Sequence, residues 1–339
     1  MAKVSIRDIS RATGFSPATV SNALNHKRSV SEQTAKIIRE TARSMGYQQQ
    51  SQGKTTIQFL QARKTGQVID QNAFQPAVIE GIERQARRYG MGTMFVNIDL
   101  SDLEAARPEV ESLTGDPASA LVLLGTELSD EDYELFAGAE AHIVVLDGWS
   151  RRYSFDAVLI SNEDSAIHAV GYLLERGHTA VGHLAGRPRI HNFKAREAGY
   201  ERALEHAGIE PRPEWRVELD TTFEAACRGM GEWLEGPGAA GLPTAFFADN
   251  DVLAVAAMRA LSDHGVRVPE DVSIIGFDDL SMGAFSTPSL TTMHVLKQEA
   301  GEIAVRQLVD GIENERGYTC KTEVSTYLVE RGSVRDLRG

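Results

Sequence analysis

The chain has 339 residues, of which 42% are hydrophobic and 24% charged, and its formal net charge is −13. This length allows two or three domains. No apolar run reaches the roughly 18 residues of a membrane span, and the N-terminus shows no secretory segment, so we expect a cytoplasmic protein without a membrane partner. Cys227 and Cys320 make neither a disulfide framework nor a zinc site.

The N-terminal stretch over residues 4–24 predicts two short helices joined by a tight turn. Ser5 caps the first helix, and Asp8 three residues later completes a capping box. The predicted apolar stripe of this helix is Ile6, Ile9 and Ala12, which fall on one face. Gly14 supplies the turn, because a positive φ is easiest for a residue without Cβ. Ser16 caps the second helix.

The second helix begins at Pro17, where a missing N–H costs nothing, and buries Val20, Ala23 and Leu24. Its small and polar residues are predicted to point outward: Ala18, Thr19, Ser21, Asn22 and Asn25. Such a surface can approach other atoms closely, which favours a helix-turn-helix whose second helix lies in the major groove of DNA. An ordinary helical hairpin within a helical domain is the alternative.

A third helix is predicted from Glu32 to about Met45, with Ser31 as its cap. Its apolar stripe is Ile37, Ile38, Ala42 and Met45. Residues 1–47 hold eight Lys or Arg against three acidic residues, about +5, which leaves −18 for residues 48–339. A basic segment on an acidic chain is typical when only that segment meets phosphates. The alternative is a chance excess on a solvated helical surface.

The octapeptide ATVSNALN at residues 18–25 and the closing Met-Gly-Tyr at 45–47 resemble the DNA-binding head of the lactose/galactose-repressor (LacI/GalR) family. The resemblance implies that Pro17, Ala18 and Asn22 read base edges. The full DNA-contact set that it implies is Ser5, Ser16, Pro17, Ala18, Thr19, Ser21, Asn22, Asn25 and Arg28. The family most often has Arg at the position of Asn22, and an Asn pairs with adenine rather than guanine.

The segment over residues 48–56 is polar and contains glycine, so we expect a linker. Members of the family usually have a longer segment here, with a short hinge helix whose Leu enters the minor groove. No Leu lies between Tyr47 and Ile57, so a strong wedge-driven kink of the DNA is not predicted.

From Thr56 onward, strand-like and helix-like segments alternate. The strand-like apolar runs lie at 57–60, 93–96, 120–124, 142–146, 180–184, 244–247 and 272–277. The helical stretches are Pro76–Tyr89, Glu163–Arg176, Phe193–His206, Phe223–Leu234 and Asp251–His264. This alternation predicts parallel sheets covered on both faces. Since about 280 residues exceed one comfortable core, two α/β lobes are expected.

The order of these segments resembles the periplasmic sugar-binding-protein fold that forms the body of the same family, including residues 268–279 and 289–294. The resemblance implies three chain crossings between lobes, near 161–163, 291–294 and 325–327. The predicted fold is a small all-α helix-turn-helix head plus an α/β periplasmic-binding-protein-like body of two parallel-sheet lobes. The predicted domains are the head at 1–47, the linker at 48–56, an N-terminal lobe at 57–162 plus 294–325, and a C-terminal lobe at 163–293 plus 326–339.

Several predicted strands end in polar residues, at the edge where open parallel sheets bind ligands. Carboxylates, amides and an Arg fork suit the hydroxyls of a sugar, and an aromatic ring suits its C–H face. The resemblance implies effector contacts at Asp147, Asn192, Arg196, Asn250 and Asp278. Candidate stacking partners are Phe74, Trp149, Phe193 and Phe223.

Each of these residues also has a purely structural interpretation. A strand-end Asp often caps the next helix, and we prefer that role for Asp251 and Asp279. Arg196 could pair with Glu197 or Glu201 on a solvated surface. The aromatic residues could simply pack inside loops.

The common enzyme signatures are absent from the sequence, including a phosphate-binding glycine loop and an HExxH motif. We therefore predict a non-enzyme without cofactor or metal. The resemblance to the LacI/GalR family implies a sequence-specific repressor of carbohydrate-use genes that binds operator DNA as a homodimer. It also implies that a sugar-like effector between the lobes controls operator affinity. The alternatives are a sugar-binding module of a transport system and a sugar-modifying enzyme with an appended DNA-binding head.

Overall fold

The computed structural model describes residues 4–24, 30–45, 56–68, 74–314 and 316–338. Contacts divide the chain into two compact units, residues 1–55 and residues 56–339, and each is described by itself. Within the described residues, no helix combines the length and the apolar character that crossing a membrane requires.

The first unit packs three helices around a small core. The helices are α1 at Ile6–Thr13, α2 at Pro17–Leu24 and α3 at Glu32–Ser44. Ile9, Val20, Leu24 and Ile38 are buried at its centre, as the apolar spacing predicted.

Two residues of the predicted apolar stripes lie at the surface instead. Ala12 of α1 is exposed, and Ile37 of α3 is 46% exposed. Ala35 takes the place of Ile37 in the core, because residues 35, 38 and 42 follow the i, i+3, i+7 spacing of one helix face. The prediction for α3 was therefore wrong at Ile37 alone, since Ile38 and Ala42 are buried and Met45 packs against the core.

The second unit alternates strands and helices. Its strands are β1 Thr56–Arg63, β2 Gly92–Asp99, β3 Ala120–Leu124, β4 His142–Leu146, β5 Asp156–Ile160, β6 Val181–Arg187, β7 Arg216–Asp220, β8 Ala245–Ala248, β9 Ser273–Asp278, β10 Thr291–His294, β11 Lys321–Val324 and β12 Tyr327–Val329. Its helices are α4 Phe74–Arg88, α5 Leu103–Thr114, α6 Asn162–Glu175, α7 His191–His206, α8 Phe223–Glu235, α9 Asp251–Asp263, α10 Ser281–Phe285 and α11 Lys297–Asn314.

These strands form two six-stranded sheets, in the orders β11-β5-β4-β3-β1-β2 and β12-β10-β9-β8-β6-β7. The described strand pairs are parallel, except that β10 and β12 are antiparallel. Every residue of the central strands β3 and β8 is buried, as expected where helices cover both faces. The predicted fold class is confirmed.

Each sheet is the centre of one lobe. The chain passes from the first lobe to the second between β5 and α6, returns between β10 and α11, and crosses again between β11 and β12. Helix α11 packs on α4 and β4 of the first lobe, whereas α6 packs on α7 of the second. The strands therefore direct their carboxyl ends, and the loops that follow, toward one region between the lobes.

The seven predicted apolar runs coincide with strands, each to within one residue at its start, and the five predicted helices are correct to within two residues at both ends. The structure adds strands β5, β7, β10, β11 and β12 and helices α5, α10 and α11. Strand β7 shows why some were missed: it lies at a sheet edge and alternates buried with partly or fully exposed residues, so it has no continuous apolar run.

Candidate nucleic-acid interface and ligand cleft

The turn between α1 and α2 ends one helix and begins the next. Gly14 has a φ of 74°, which confirms the predicted left-handed turn, and its N–H donates to the Ser10 carbonyl at 3.0 Å. The Ser16 hydroxyl accepts from the Thr19 N–H at 3.1 Å and lies 2.8 Å from the Thr19 hydroxyl. These bonds cap α2 and fix its direction.

Helix α2 buries one side and presents the other. Val20 and Leu24 face the core of the first unit. Six residues predicted to contact DNA lie at or near the opposite surface: Ser16, Pro17 and Ala18 are exposed, and Thr19, Ser21 and Asn22 are half-buried. Asn25 and Arg28, which belong to the same prediction, lie outside the described residues.

The start of α1 combines a cap with surface charge. The Ser5 N–H and hydroxyl both donate to Asp8 Oδ2, at 2.9 and 2.6 Å, which confirms the predicted capping box. These bonds to Ser5 lower the pKa of the Asp8 carboxyl. Arg7, Arg11 and Lys36 are exposed, so their charges are available to phosphates.

A cleft lies between the two lobes of the second unit. The lining residues are Val68, Phe74, Gln75, Leu124, Thr126 and Asp147 from the first lobe and Ile190, Asn192, Phe193, Arg196 and Asp278 from the second. Six of the nine predicted effector residues are among them: Phe74, Asp147, Asn192, Phe193, Arg196 and Asp278.

Asp147 follows the end of β4 and joins the two lobes. The Thr126 hydroxyl donates to its Oδ2 at 2.7 Å, and the Asn192 amide, from α7 of the other lobe, donates to its Oδ1 at 3.0 Å. Burial raises the pKa of Asp147 to about 6, although these hydrogen bonds and the Arg196 charge oppose the rise. A ligand that donates a hydrogen bond to Asp147 would therefore favour its ionised form.

Arg196 is buried and directs its guanidinium into the second lobe. Its Nε donates to Asn162 Oδ1 at 2.8 Å, its Nη1 donates to the Asp249 carbonyl, and its Nη2 lies 3.4 Å from Asp278 Oδ1. It is only 5% exposed. The alternative that it pairs with a neighbouring glutamate on a solvated surface was therefore wrong.

Both carboxylates of the cleft stand on strained backbone. Asp147 has a φ of 58° and Asp278 a φ of 108°, in the region that residues other than glycine rarely adopt. Such a conformation costs about 1–3 kcal/mol and persists only where the surrounding structure holds it. Because both strained residues lie in one cleft at strand ends, the strain points to a functional site.

Apolar side chains form the rest of the wall. Phe193 packs with Ile190 of its own lobe and with Val68 of the other. A Cβ at Gly186 would lie 2.5 Å from the Phe193 ring, so only glycine allows the ring to sit against this strand. Phe74 adds a second buried ring. The cleft thus combines aromatic surface with a few polar groups.

Three predicted effector residues are not among those that line this cleft. The Asn250 side chain accepts from the backbone N–H three residues on, at 3.0 Å, and so caps α9. Trp149 packs on the His191 ring, with centroids 5.0 Å apart, and Phe223 packs on the core of the second lobe. An effector role for these three has no support from the lining of the cleft.

Asp251 and Asp279 are not helix caps, so that part of the prediction was wrong. Asp251 accepts from the Thr292 hydroxyl and from a backbone N–H of the loop after β9, each at 2.6 Å. Asp279 lies 2.7 Å from His294 Nδ1 and accepts from Arg331 at 2.6 Å. Both carboxylates fasten the loop after β9 to the rest of the second lobe.

Sequence reasoning missed five lining residues: Val68, Gln75, Leu124, Thr126 and Ile190. Thr126 had a usable signal, because it follows the apolar run of β3 by two residues and is therefore a polar strand-end residue. The three apolar residues gave no signal, since an apolar residue that lines a ligand site resembles one that fills a core.

A buried ion-pair cluster lies behind the cleft. His183 Nε2 is 2.9 Å from Asp249 Oδ1, and Arg189 donates to the other carboxylate oxygen. Burial favours the neutral acid, but the His183 and Arg189 charges hold the pKa of Asp249 below its usual value. Across the described residues, no group of three or more His, Cys, Asp or Glu is arranged to hold a metal ion.

Two family matches span most of the chain. Residues 5–50 match the family described as bacterial regulatory proteins, lacI family, and residues 170–334 match a periplasmic binding protein-like domain. The chain is similar to the HTH-type transcriptional repressor PurR of Aliivibrio salmonicida strain LFI1238, with 28% identity over 335 residues that cover 98% of this chain and 99% of the relative. PurR of Escherichia coli O139:H28 is 29% identical over 338 residues, with 98% and 97% covered.

Solved structures share the fold. The transcriptional regulator CelR in complex with cellobiose has a TM-score of 0.74 at 24% identity and covers 98% of this chain and 100% of that chain. The lac repressor dimer bound to operator and the anti-inducer ONPF has a TM-score of 0.71 at 22% identity, with the same coverage. Fold and sites together define a DNA-binding transcription regulator with a ligand cleft. The chain belongs to the LacI/GalR family and is a transcriptional repressor, not an enzyme.

Proposed function

We propose that a neutral sugar-like molecule binds between the lobes and controls the affinity of this repressor for its operator. The observation that carries the proposal is the meeting of Asp147, Asn192, Arg196 and Asp278 in one cleft with two phenylalanine rings. Carboxylates accept from sugar hydroxyls, amide and guanidinium groups donate to them, and aromatic rings suit the C–H face.

The charges in the cleft favour an uncharged ligand. Its charged lining residues are Asp147, Asp278 and Arg196, which give a net charge of −1 when both carboxylates are ionised. A phosphorylated or carboxylated sugar would place a second anion in this poorly solvated space, at a cost in Coulomb energy. Neutral mono- and disaccharides avoid this cost.

Lobe closure provides the link between ligand and operator. The Asn192–Asp147 bond already joins the lobes, and the Thr221 hydroxyl of the second lobe donates to the Gln67 carbonyl of the first at 3.1 Å. A ligand that contacts Asp147 and Arg196 together adds to these bonds and favours the closed arrangement. Operator affinity then changes by the difference in ligand affinity between the two arrangements.

A purine base is the second candidate ligand, because similar repressors carry the name PurR. The same carboxylates and amides can pair with ring nitrogens, and the phenylalanine rings can stack on a planar base. A sugar offers many hydroxyls and a base offers a flat π-face, so a ligand screen separates the two classes.

On the DNA side, we propose that α2 reads base edges in the major groove through the exposed surface described above, with further contacts from Ser5, Asn25 and Arg28. Its small residues allow close approach, and the exposed cations of the first unit can meet phosphates.

We also propose a homodimer. Its support is the dimeric lac repressor structure and the edge strand β2, whose Met94 and Phe95 are 45% and 43% exposed.

A thermal-shift screen of mono- and disaccharides beside purine bases tests the proposal. We expect at least one neutral sugar to raise the melting temperature and to change binding to an operator found by in vitro site selection. Stabilisation by purine bases alone would instead support a purine base as the ligand of the cleft. Turnover of a bound sugar would contradict the regulatory function of the cleft.

A further inference from the structure

The loop that joins β6 to α7 carries Arg189, a half-buried arginine that is not among the residues lining the cleft. Its Nη2 donates to the Phe193 carbonyl at 3.0 Å and to Glu197 Oε2 at 2.7 Å. Its Nη1 donates to Oδ2 of Asp249, the residue that follows β8. A single planar guanidinium therefore joins the first two turns of α7 to the carboxyl end of β8.

These bonds surround the part of α7 that faces the cleft. Asn192, Phe193 and Arg196 lie in these two turns and line the cleft. Arg196 donates to the backbone carbonyl of Asp249, whereas Arg189 donates to the Asp249 side chain. Because Asp249 is fully buried, it fixes the two arginines relative to each other. The position of Arg196 in the cleft therefore depends on a carboxylate that Arg189 holds.

The two carboxylates that Arg189 contacts are ionised. Burial favours the neutral acid of Glu197, but a hydrogen bond from Arg216 and the charge of Arg189 hold its pKa below the usual value. The pKa of Asp249 is lowered too, by the charges of His183 and Arg189 against the effect of burial. Hydrogen bonds between ionised partners are shorter and stronger than neutral ones. Arg189 is therefore a fixed part of the second lobe and not a solvated side chain.

Helix α7 begins without the usual side-chain cap. The residue before it is Ile190, whose apolar side chain cannot accept from the free N–H groups of the first turn. Helix ends fray, and fraying here would displace Asn192 and Phe193 from the cleft. The bond from Arg189 to the Phe193 carbonyl opposes such fraying. A site that is already ordered loses less conformational entropy when its ligand binds.

We propose that Arg189 is a positioning residue for ligand binding: its guanidinium holds the first two turns of α7 in place, and with them the second-lobe side chains that meet the ligand. Arg189 itself does not touch the ligand. This inference rests on the proposed function, because it takes the cleft to be the ligand site. It makes ligand affinity depend on a side chain outside the cleft, through the order of α7.

The test compares Arg189→Met with Arg216→Met. Methionine keeps an unbranched apolar stem and removes the guanidinium. Arg216 on β7 is a matched control, because it also donates to Glu197, at 2.6 Å. Its other described side-chain bond goes to Glu218, so it holds neither the end of β8 nor the first turn of α7. Arg189→Lys is a second variant, which keeps the charge but lacks the planar fork that reaches several acceptors at once.

Two measurements are made on the full-length protein and on each variant. Hydrogen–deuterium exchange without ligand, followed by mass spectrometry, reports how well ordered residues 190–197 are. Calorimetry with cellobiose, D-galactose and adenine reports ligand affinity. A thermal melt of each protein sets a common temperature at which all of them are folded.

We expect the amides at the start of α7 to exchange about tenfold faster in both Arg189 variants, because a bond to a charged group is lost. The sugar that binds wild type should bind these variants about tenfold more weakly. Arg216→Met should match wild type in both measurements. An arginine that only stabilises the fold would lower the melting temperature, while exchange at α7 and the affinity of the folded protein stayed the same.

Unchanged exchange at the start of α7 in both Arg189 variants would overturn the inference, and so would an equal acceleration in Arg216→Met. Faster exchange with unchanged affinity for a bound probe would also overturn it, while the proposed function stands. Binding of adenine alone would remove the carbohydrate assignment, yet weaker adenine binding in the Arg189 variants would still support the positioning role. If no probe binds wild type, the exchange comparison decides.

Discussion

Replacing Asp251 by Asn should stabilise this protein at neutral pH. Asp251 is fully buried and accepts from the Thr292 hydroxyl and from the Leu280 N–H, each at 2.6 Å. Burial, reinforced by the nearby Asp278 carboxylate, raises its pKa to about 8. The side chain is therefore a neutral acid at pH 7. Asn has nearly the same shape: its oxygen can accept from the Leu280 N–H, and one of its N–H groups can donate to the Thr292 hydroxyl.

The magnitude follows from the pKa difference between the folded and unfolded states. The unfolded value is near 3.8 and the folded value about 8. A pKa raised by folding adds stability that is fully present below pH 4 and is lost as the pH rises toward 8. At about 1.4 kcal/mol per unit, this group makes wild type about 4 kcal/mol less stable at pH 7 than at pH 4. The Asn variant does not lose this stability as the pH rises, because its side chain does not titrate.

Asp249→Asn is the matched control. Asp249 lies two residues away, and folding lowers its pKa whereas folding raises the pKa of Asp251. Asp249 is buried with His183 at 2.9 Å and with Arg189, and its pKa lies below the usual value. Its stabilising effect is present above the unfolded pKa and is lost as the pH falls through the folded one. Neutralising it breaks the buried ion pairing of Asp249 with His183 and Arg189, and the loss of one partner of such a pair typically costs about 3–5 kcal/mol.

Urea-unfolding midpoints of wild type and both variants, measured from pH 5 to pH 8, test this account. The difference between Asp251→Asn and wild type should grow in favour of the variant as the pH rises, because the other titrating groups cancel in the comparison. Asp249→Asn should be less stable than wild type at pH 7. A difference between Asp251→Asn and wild type that stays flat with pH, with the variant less stable at pH 7.5, would refute the reasoning.

Three further outcomes are expected. Arg196→Ala should lose the ligand response in an operator-binding assay while operator affinity without ligand persists; a normal response would remove Arg196 from the site. Asn22→Arg should shift one operator position from A toward G by about 1–3 kcal/mol, and an unchanged preference in binding-site selection would contradict this. Glu127→Gln should lower the unfolding free energy by about 2 kcal/mol and weaken ligand binding. Glu127 accepts from the N–H groups of residues 64, 65, 66 and 68 and so holds Val68 at the cleft. Unchanged results in calorimetry and urea melts would show that this loop keeps its conformation without the carboxylate.

The three-helix head was predictable almost residue by residue, because its signals are local. Gly14 and Ser16 lie where the turn requires a positive φ and a cap, and neither depends on distant contacts. The error at Ile37 arose because the sequence alone does not show which of two adjacent isoleucines, Ile37 or Ile38, faces the core. Only packing against the other two helices selects Ile38.

The cleft was predictable where it depends on strand ends. Asp147 and Asp278 immediately end buried strands, and parallel strands bring their carboxyl ends to one edge. The neighbours of the carboxylates could not be predicted in the same way. Whether Gln75 or Trp149 lines the cleft depends on how the two lobes face each other, which is a property of the whole second unit.

The account depends most directly on one quantity, the change in operator affinity that a cleft ligand produces. It is measured by fluorescence anisotropy on the selected operator, with and without a saturating amount of the sugar that stabilises the protein, at two salt concentrations. We expect the dissociation constant to change by about 5–150-fold with the sugar and binding to weaken steeply as salt rises. Equal operator affinity with and without a sugar that demonstrably binds would contradict the account.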